Sequence, residues 1–180
     1  MSIPFRSFAI EEAGLAAYLR VLSGLGDHAE MHGALLVVNA IGEPVEFCFA
    51  SLKPPASPLW RDVDLKRRAV ATLTRSLFNE CGAQPRLVFG LASEIDPTLF
   101  RVDVSPAIAA CRVIPGISTG ISEGEMATDQ GPRLIWAGER PGPESPERQL
   151  LNRLINNDLL AEPFVRAEAA LAESVLAGGI

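Results

Sequence analysis

Cysteine is scarce in this chain. Cys48, Cys81 and Cys111 are odd in number and widely separated, with no Cys-x-x-Cys pair. No disulfide framework is encoded, and a reducing, cytoplasmic compartment is the expected setting. Cys48 falls in an apolar stretch, where a cysteine acts as a small hydrophobe. Histidine is scarcer still, with only His28 and His32. No apolar run approaches the roughly 20 residues of a membrane span. The start of the sequence has no basic stretch followed by an apolar one, so no secretory signal is expected. Positive charge is in deficit: 16 Lys and Arg against 22 Asp and Glu leave a net charge of −6. Diffuse attraction to nucleic acid or to an anionic membrane is therefore not expected, which leaves only a local basic patch. Two catalytic signatures are also missing. No Gly-x-Ser-x-Gly elbow marks a hydrolase, and the glycines at 116–124 are not followed by the Gly-Lys-Ser/Thr of a phosphate-binding loop.

What is present suits an ordinary globular domain. The 180 residues are 48% hydrophobic and 21% charged. A chain of this size buries about 70% of its unfolded surface, so it folds without metal or disulfide. Glu11 and Glu12 followed by Leu15, Tyr18, Leu19 and Leu22 predict a helix over Ile10–Leu22, stopped by Ser23-Gly-Leu-Gly. The run from Gly33 to Asn39 is continuously apolar, as in a strand covered on both faces. Val45, Phe47 and Phe49 alternate in the next segment, and the intervening Asn-Ala-Ile-Gly-Glu-Pro makes the pair a hairpin over 34–50. After a proline-rich connector, Ala69, Val70, Leu73 and Leu77 predict a helix over Asp62–Asn79. Further strands are expected at Arg86–Leu91, around Phe100–Val104 and at Arg133–Ala137. Ala107–Ile114 fits a strand or a short helix, and Pro115–Pro132 reads as a mobile loop.

Ser145-Pro146 opens a helix whose stripe is Leu150, Leu151, Leu154 and Ile155, and an alanine-rich helix closes the chain from Pro163 to Ala177. The expected fold is α/β or α+β: a mixed sheet of about five strands flanked by helices. It divides into an α/β domain over 1–137 and a helical segment over 146–180, packed on the same domain.

Three groups of residues invite a chemical reading. His28 and His32, four apart around Glu30, have zinc-ligand spacing on a helix. The order is not the His-Glu-x-x-His of zinc proteases, and no Pro-Cys-x-x-Cys follows, so the segment reads as a polar connector with no metal. Arg61, Arg68 and Arg75 recur every seven residues on one helix face, a candidate phosphate-contacting stripe. Asp64 stands four before Arg68, the favourable order for a local ion pair, and the plainer reading is a solvated face. Glu46, Glu94, Asp96 and Asp103 lie near strand ends, where carboxylates can hold a divalent metal; Glu46 and Asp103 are the candidate catalytic pair.

The order hairpin, helix, strand over residues 34–91 resembles the opening of RNase H-like folds, and equally that of roadblock/longin-type α/β modules. The first resemblance implies a metal-dependent nuclease, with Mg²⁺ as cofactor and a metal-binding aspartate on the first strand. Matched on the hairpin, that position holds Asn39, an amide and a poor ligand for a hard cation. The second implies a platform that binds partner subunits through a sheet edge or helix pair. Lacking a catalytic signature, the chain is expected to be a non-catalytic accessory or scaffold subunit with no cofactor, docking protein partners through its C-terminal helices or sheet edge. A divergent RNase H-like nuclease or nucleic-acid-binding subunit is the alternative.

Overall fold

Continuous apolar runs dominate the first half of the chain, and in the computed structural model they become the central strands of one sheet. The structure describes residues 1–5, 14–23, 30–54, 59–96, 108–116, 124–127 and 131–177. Eight strands are formed among them: β1 (Ser2–Pro4), β2 (Leu15–Ser23), β3 (Met31–Asn39), β4 (Pro44–Leu52), β5 (Leu87–Leu91), β6 (Ala109–Ile114), β7 (Glu125–Met126) and β8 (Arg133–Trp136). They lie in the order β1-β4-β3-β2-β5-β6-β8-β7. Strands β2, β3 and β4 form an antiparallel meander, whereas β5 runs parallel to β2 and β6 parallel to β5. The sheet is mixed, as expected, but wider than five strands. The extra ones are short edge pieces, β1 and β7, and the central strand β2.

Strand β2 corrects the expected helix over Ile10–Leu22, of which residues 10–13 lie outside the described residues. Leu15, Tyr18, Leu19 and Leu22 do have helical spacing, but the residues between them, Ala16, Ala17 and Val21, are equally apolar and equally buried. A segment covered on both faces carries no amphipathic period, and the strand is chosen by its two neighbours, β3 and β5. The strand expected around Phe100–Val104 also lies outside the described residues, as do 117–123 and 128–130 of the expected loop; within that loop Glu125–Met126 is a strand paired with β8. Ala109–Ile114 resolves as a strand.

The hairpin forms as expected. At its turn the Asn39 N–H donates to the Glu43 carbonyl, the Gly42 N–H donates to Asn39, and Gly42 takes the positive φ of 89° that glycine tolerates. One detail differs. Val38 pairs with Pro44 and Val37 with Glu46, so Val45 is an extra residue, a β-bulge. Val45 consequently packs on the opposite face from Phe47 and Phe49, and not with them.

Helix α1 (Asp62–Glu80) covers one face of the sheet through Ala69, Val70, Leu73 and Leu77. Helices α2 (Pro146–Asn156) and α3 (Glu162–Ala177) cover the other. Leu150, Leu151, Leu154, Phe164, Ala167 and Leu171 join Tyr18, Phe89 and Val113 in one core. The Tyr18 hydroxyl donates to the Leu159 carbonyl between the two helices. The main apolar faces of the C-terminal helices are thus buried against the sheet. Among the described residues, no helix is long and apolar enough to cross a membrane.

Candidate functional site at the carboxyl ends of the parallel strands

Open α/β sheets present their functional groups beyond the carboxyl ends of parallel strands. Here those ends belong to β2, β5 and β6. Strand β2 contributes one charged residue, Arg20, whose side chain is 9% exposed and points to the α3 side. Just beyond β5, the turn after Leu91 carries Glu94, and α3 carries Glu168. The three converge. Arg20 Nε donates to Glu94 Oε1 at 2.9 Å and reaches Oε2 at 3.2 Å, and its Nη2 lies 2.9 Å from Oε1. Arg20 Nη1 donates to Glu168 Oε2 at 2.8 Å and to the Phe164 carbonyl at 3.2 Å. Glu94 Oε2 also accepts the Val21 N–H at 2.9 Å. Burial pushes the Glu94 carboxyl above the usual carboxylate range, against the opposing pull of the Val21 amide and the Arg20 charge.

On the α1 side of the same strand ends lies a cleft of about 340 Å³, lined among others by Lys66, Arg67, Glu94, Asp96 and Arg112. Arg67 Nη2 pairs with Asp96 Oδ2 at 3.2 Å. Arg112 projects from β6, and its Nε is buried with no hydrogen-bond partner among the described residues. The mouth of the sheet is therefore polar on both faces, cationic on the strands and mixed on the helix.

Of the candidates named from sequence, Glu94 and Asp96 both line this cleft, and the other described ones lie apart from it. Glu46 sits on β4, on the α1 side, away from this centre; it accepts from the Ser2 hydroxyl and from the N–H groups of Gly82 and Ala83, at 3.0 and 2.7 Å. Burial acts to raise its pKa, but those hydrogen bonds, with one from Cys81, outweigh it and hold the carboxyl below the usual range. Asp103 and His28 lie outside the described residues. His32 is on strand β3, not on a helix, so it lacks the one-turn helical geometry that the spacing invited; its Nδ1 lies 2.7 Å from the Ser51 hydroxyl. Arg61, Arg68 and Arg75 do share the exposed side of α1. Asp64 pairs with Arg61 at 2.6 Å, where Arg68 was the expected partner, and Arg68 stacks on the Trp60 ring at 3.9 Å. Sequence reasoning missed Arg20, because it assigned β2 to a helix. The available signal was a single charge in the middle of Tyr-Leu-Arg-Val-Leu.

A hard dication such as Mg²⁺ takes oxygen ligands free to converge on it. The acids that converge here do not fit that need: both Glu94 oxygens are engaged by Arg20, one also by an amide, and Glu168 binds the same guanidinium. The position between them is held by a fixed positive charge.

A three-strand antiparallel meander, a crossing helix, and two further strands parallel to its first strand follow the order of RNase H-like folds, with β2 in the place of their first strand. Asn39, at the end of β3, is therefore not the first-strand position; the charged residue there is Arg20. No protein-family model and no curated protein matches the chain. Among solved structures it is similar to the catalytic domain of human endonuclease V, with a TM-score of 0.56 and 12% identity over 94% of this chain and 85% of that one. It is also similar to endonuclease V of Bacillus subtilis, with a TM-score of 0.51 and 11% identity over 87% of this chain and 78% of that one. At such identities the likeness is one of fold.

Proposed function

We propose that this chain is a nucleic-acid-binding protein on an endonuclease V-like fold, with an arginine–carboxylate centre where a metal-dependent nuclease would need free acids. The observation that carries the reading is the likeness to an endonuclease over nearly the whole chain. Arg20 decides between binding and cutting, because its guanidinium neutralises Glu94 and Glu168 from within. Contact with a phosphate backbone then falls to the cations flanking the strand ends, Lys66, Arg67 and Arg112 in the cleft and Arg61 and Arg68 outside it. Trp60, exposed and stacked under Arg68, offers an aromatic face for an unpaired base. The accessory-subunit reading loses one support, since the apolar faces of α2 and α3 are used within the fold.

The test is fluorescence anisotropy with labelled single- and double-stranded DNA and RNA, across a salt series, alongside a cleavage assay in Mg²⁺ and Mn²⁺. We expect binding that weakens as salt rises, a shallower salt slope in Arg61→Ala/Arg68→Ala, and no metal-dependent cleavage. Absence of binding even at low salt would dismiss the nucleic-acid reading. Cleavage abolished by Glu94→Gln would dismiss the non-cutting centre and restore the nuclease.

A further inference from the structure

Near the amino end of β4, away from the Arg20 centre, two sulfurs converge on one carboxylate. Cys48 projects from β4 beside Glu46, and Cys81 is the residue that ends α1. The Cys48 thiol donates to Glu46 Oε1 at 3.7 Å and the Cys81 thiol to Oε2 at 3.4 Å, and the two sulfurs and a carboxylate oxygen all lie within 4.8 Å of one another. Two parts of the chain, strand β4 and the end of α1, therefore bring S, S and O together. In a tetrahedral zinc site, with bonds of about 2.3 Å to sulfur and about 2.0–2.2 Å to oxygen, ligand atoms stand roughly 3.5–3.8 Å apart. The two sulfur–oxygen separations, each to a different oxygen of the carboxylate, are close to that edge length before any ion is added.

We propose that Glu46, Cys48 and Cys81 form a zinc-binding site that fastens the end of α1 to β4. Thiolates select a borderline-soft ion over Mg²⁺ or Ca²⁺, and two thiolates with one carboxylate suit zinc in charge and geometry. Binding replaces the two thiol S–H bonds by S–Zn bonds and releases two protons to solvent. The fourth position falls to the Ser2 hydroxyl, which already touches Glu46, or to a water. The Gly82 and Ala83 amides orient the carboxylate and so act as positioning groups. Cys48 and Glu46 are buried, whereas Cys81 is half-buried, so an ion enters past Cys81. This inference is independent of any nucleic-acid binding.

The test uses the full chain, reduced and freed of metal by a chelator. Titration with Co²⁺ should give a sulfur-to-cobalt charge-transfer band and the intense visible bands of tetrahedral cobalt, saturating at one equivalent and erased by Zn²⁺. Zn²⁺ should also raise the Tm. Cys81→Ser, at a half-buried position, leaves one thiolate and should lower the charge-transfer intensity per cobalt bound and weaken Zn²⁺ affinity by more than about tenfold. Cys111→Ser should change neither readout. Co²⁺ spectra without a thiolate band would overturn the site, as would a band of undiminished intensity in Cys81→Ser.

Discussion

Arg20 is the residue on which the largest single effect should fall. Its guanidinium is nearly buried, and Glu94, with a side chain only 14% exposed, depends on it for compensation. Taking one partner from a buried ion pair leaves the other charged in a poorly hydrated place, at a cost of about 3–5 kcal/mol. Arg20→Leu should therefore lower the unfolding free energy by that order in urea denaturation. Glu168, at 52% exposure, can rehydrate, and Glu168→Gln should cost only about 0–1 kcal/mol. Arg20→Leu/Glu94→Leu should be less destabilised than Arg20→Leu alone, because the second change removes the orphaned charge. Equal losses in Arg20→Leu and Glu168→Gln would mean that Arg20 acts only as packing. None of this was legible in the sequence. Glu94 stood out as an acid near a strand end, but its partner Arg20 lies 74 residues away on β2, and the other carboxylate on that guanidinium, Glu168, lies 148 residues from Arg20 on α3. Charge partners at such separation leave no local pattern.

Elements whose signals are local were read correctly, and Ser145 shows why. Its side-chain oxygen accepts the Arg148 N–H at 3.2 Å, and Pro146 occupies the first turn, where no amide hydrogen is needed. Both features are visible in two adjacent letters. Ser145→Ala should cost about 1 kcal/mol by thermal or urea denaturation with no change of fold, whereas Ser145→Asp should retain most of the stability. A loss of less than half that from alanine would assign the helix start to packing of Leu150 and Leu151. The hairpin and α1 were legible on the same local grounds of turn residues and a 3.6-residue period. Strand β2 was not, because a segment buried on both faces has no polar side to reveal its period. The bulge at Val45 was equally hidden. Alternation places Val45 with Phe47, and only the register against Val37 and Val38 turns it to the other face. The zinc candidate depends on that region too, since Glu46 and Cys48 share the α1 face just past the bulge.

At the scale of the whole molecule, the open question is what ties the far edge of the sheet to the helices. Strand β7 is only two residues long and, among the described residues, pairs with β8 alone. Its Glu125 carboxylate gathers Arg148 of α2 at 2.6 Å and Arg140 of the connector at 2.7 Å. The Trp136 indole N–H of β8 adds a contact at 3.4 Å. Burial acts to raise the Glu125 pKa, but these donors and the two guanidinium charges outweigh it and hold the carboxyl below its ordinary value. The sign of the pH effect follows. In the unfolded chain Glu125 takes up a proton at the ordinary glutamate pKa of about 4.3, while the folded protein still resists it. Its stabilisation is therefore complete above that ordinary value and is lost as pH falls through the lower, folded one. Glu125→Gln removes the charge at every pH. The Tm difference between the wild-type chain and Glu125→Gln should then be greatest at neutral pH, hold down to the ordinary carboxylate range, and shrink below it. A difference that stays constant into acid would show that Glu125 contributes through shape and neutral hydrogen bonds. A difference that vanishes in high salt at neutral pH would instead make the edge clasp a surface ion pair, screened like any other.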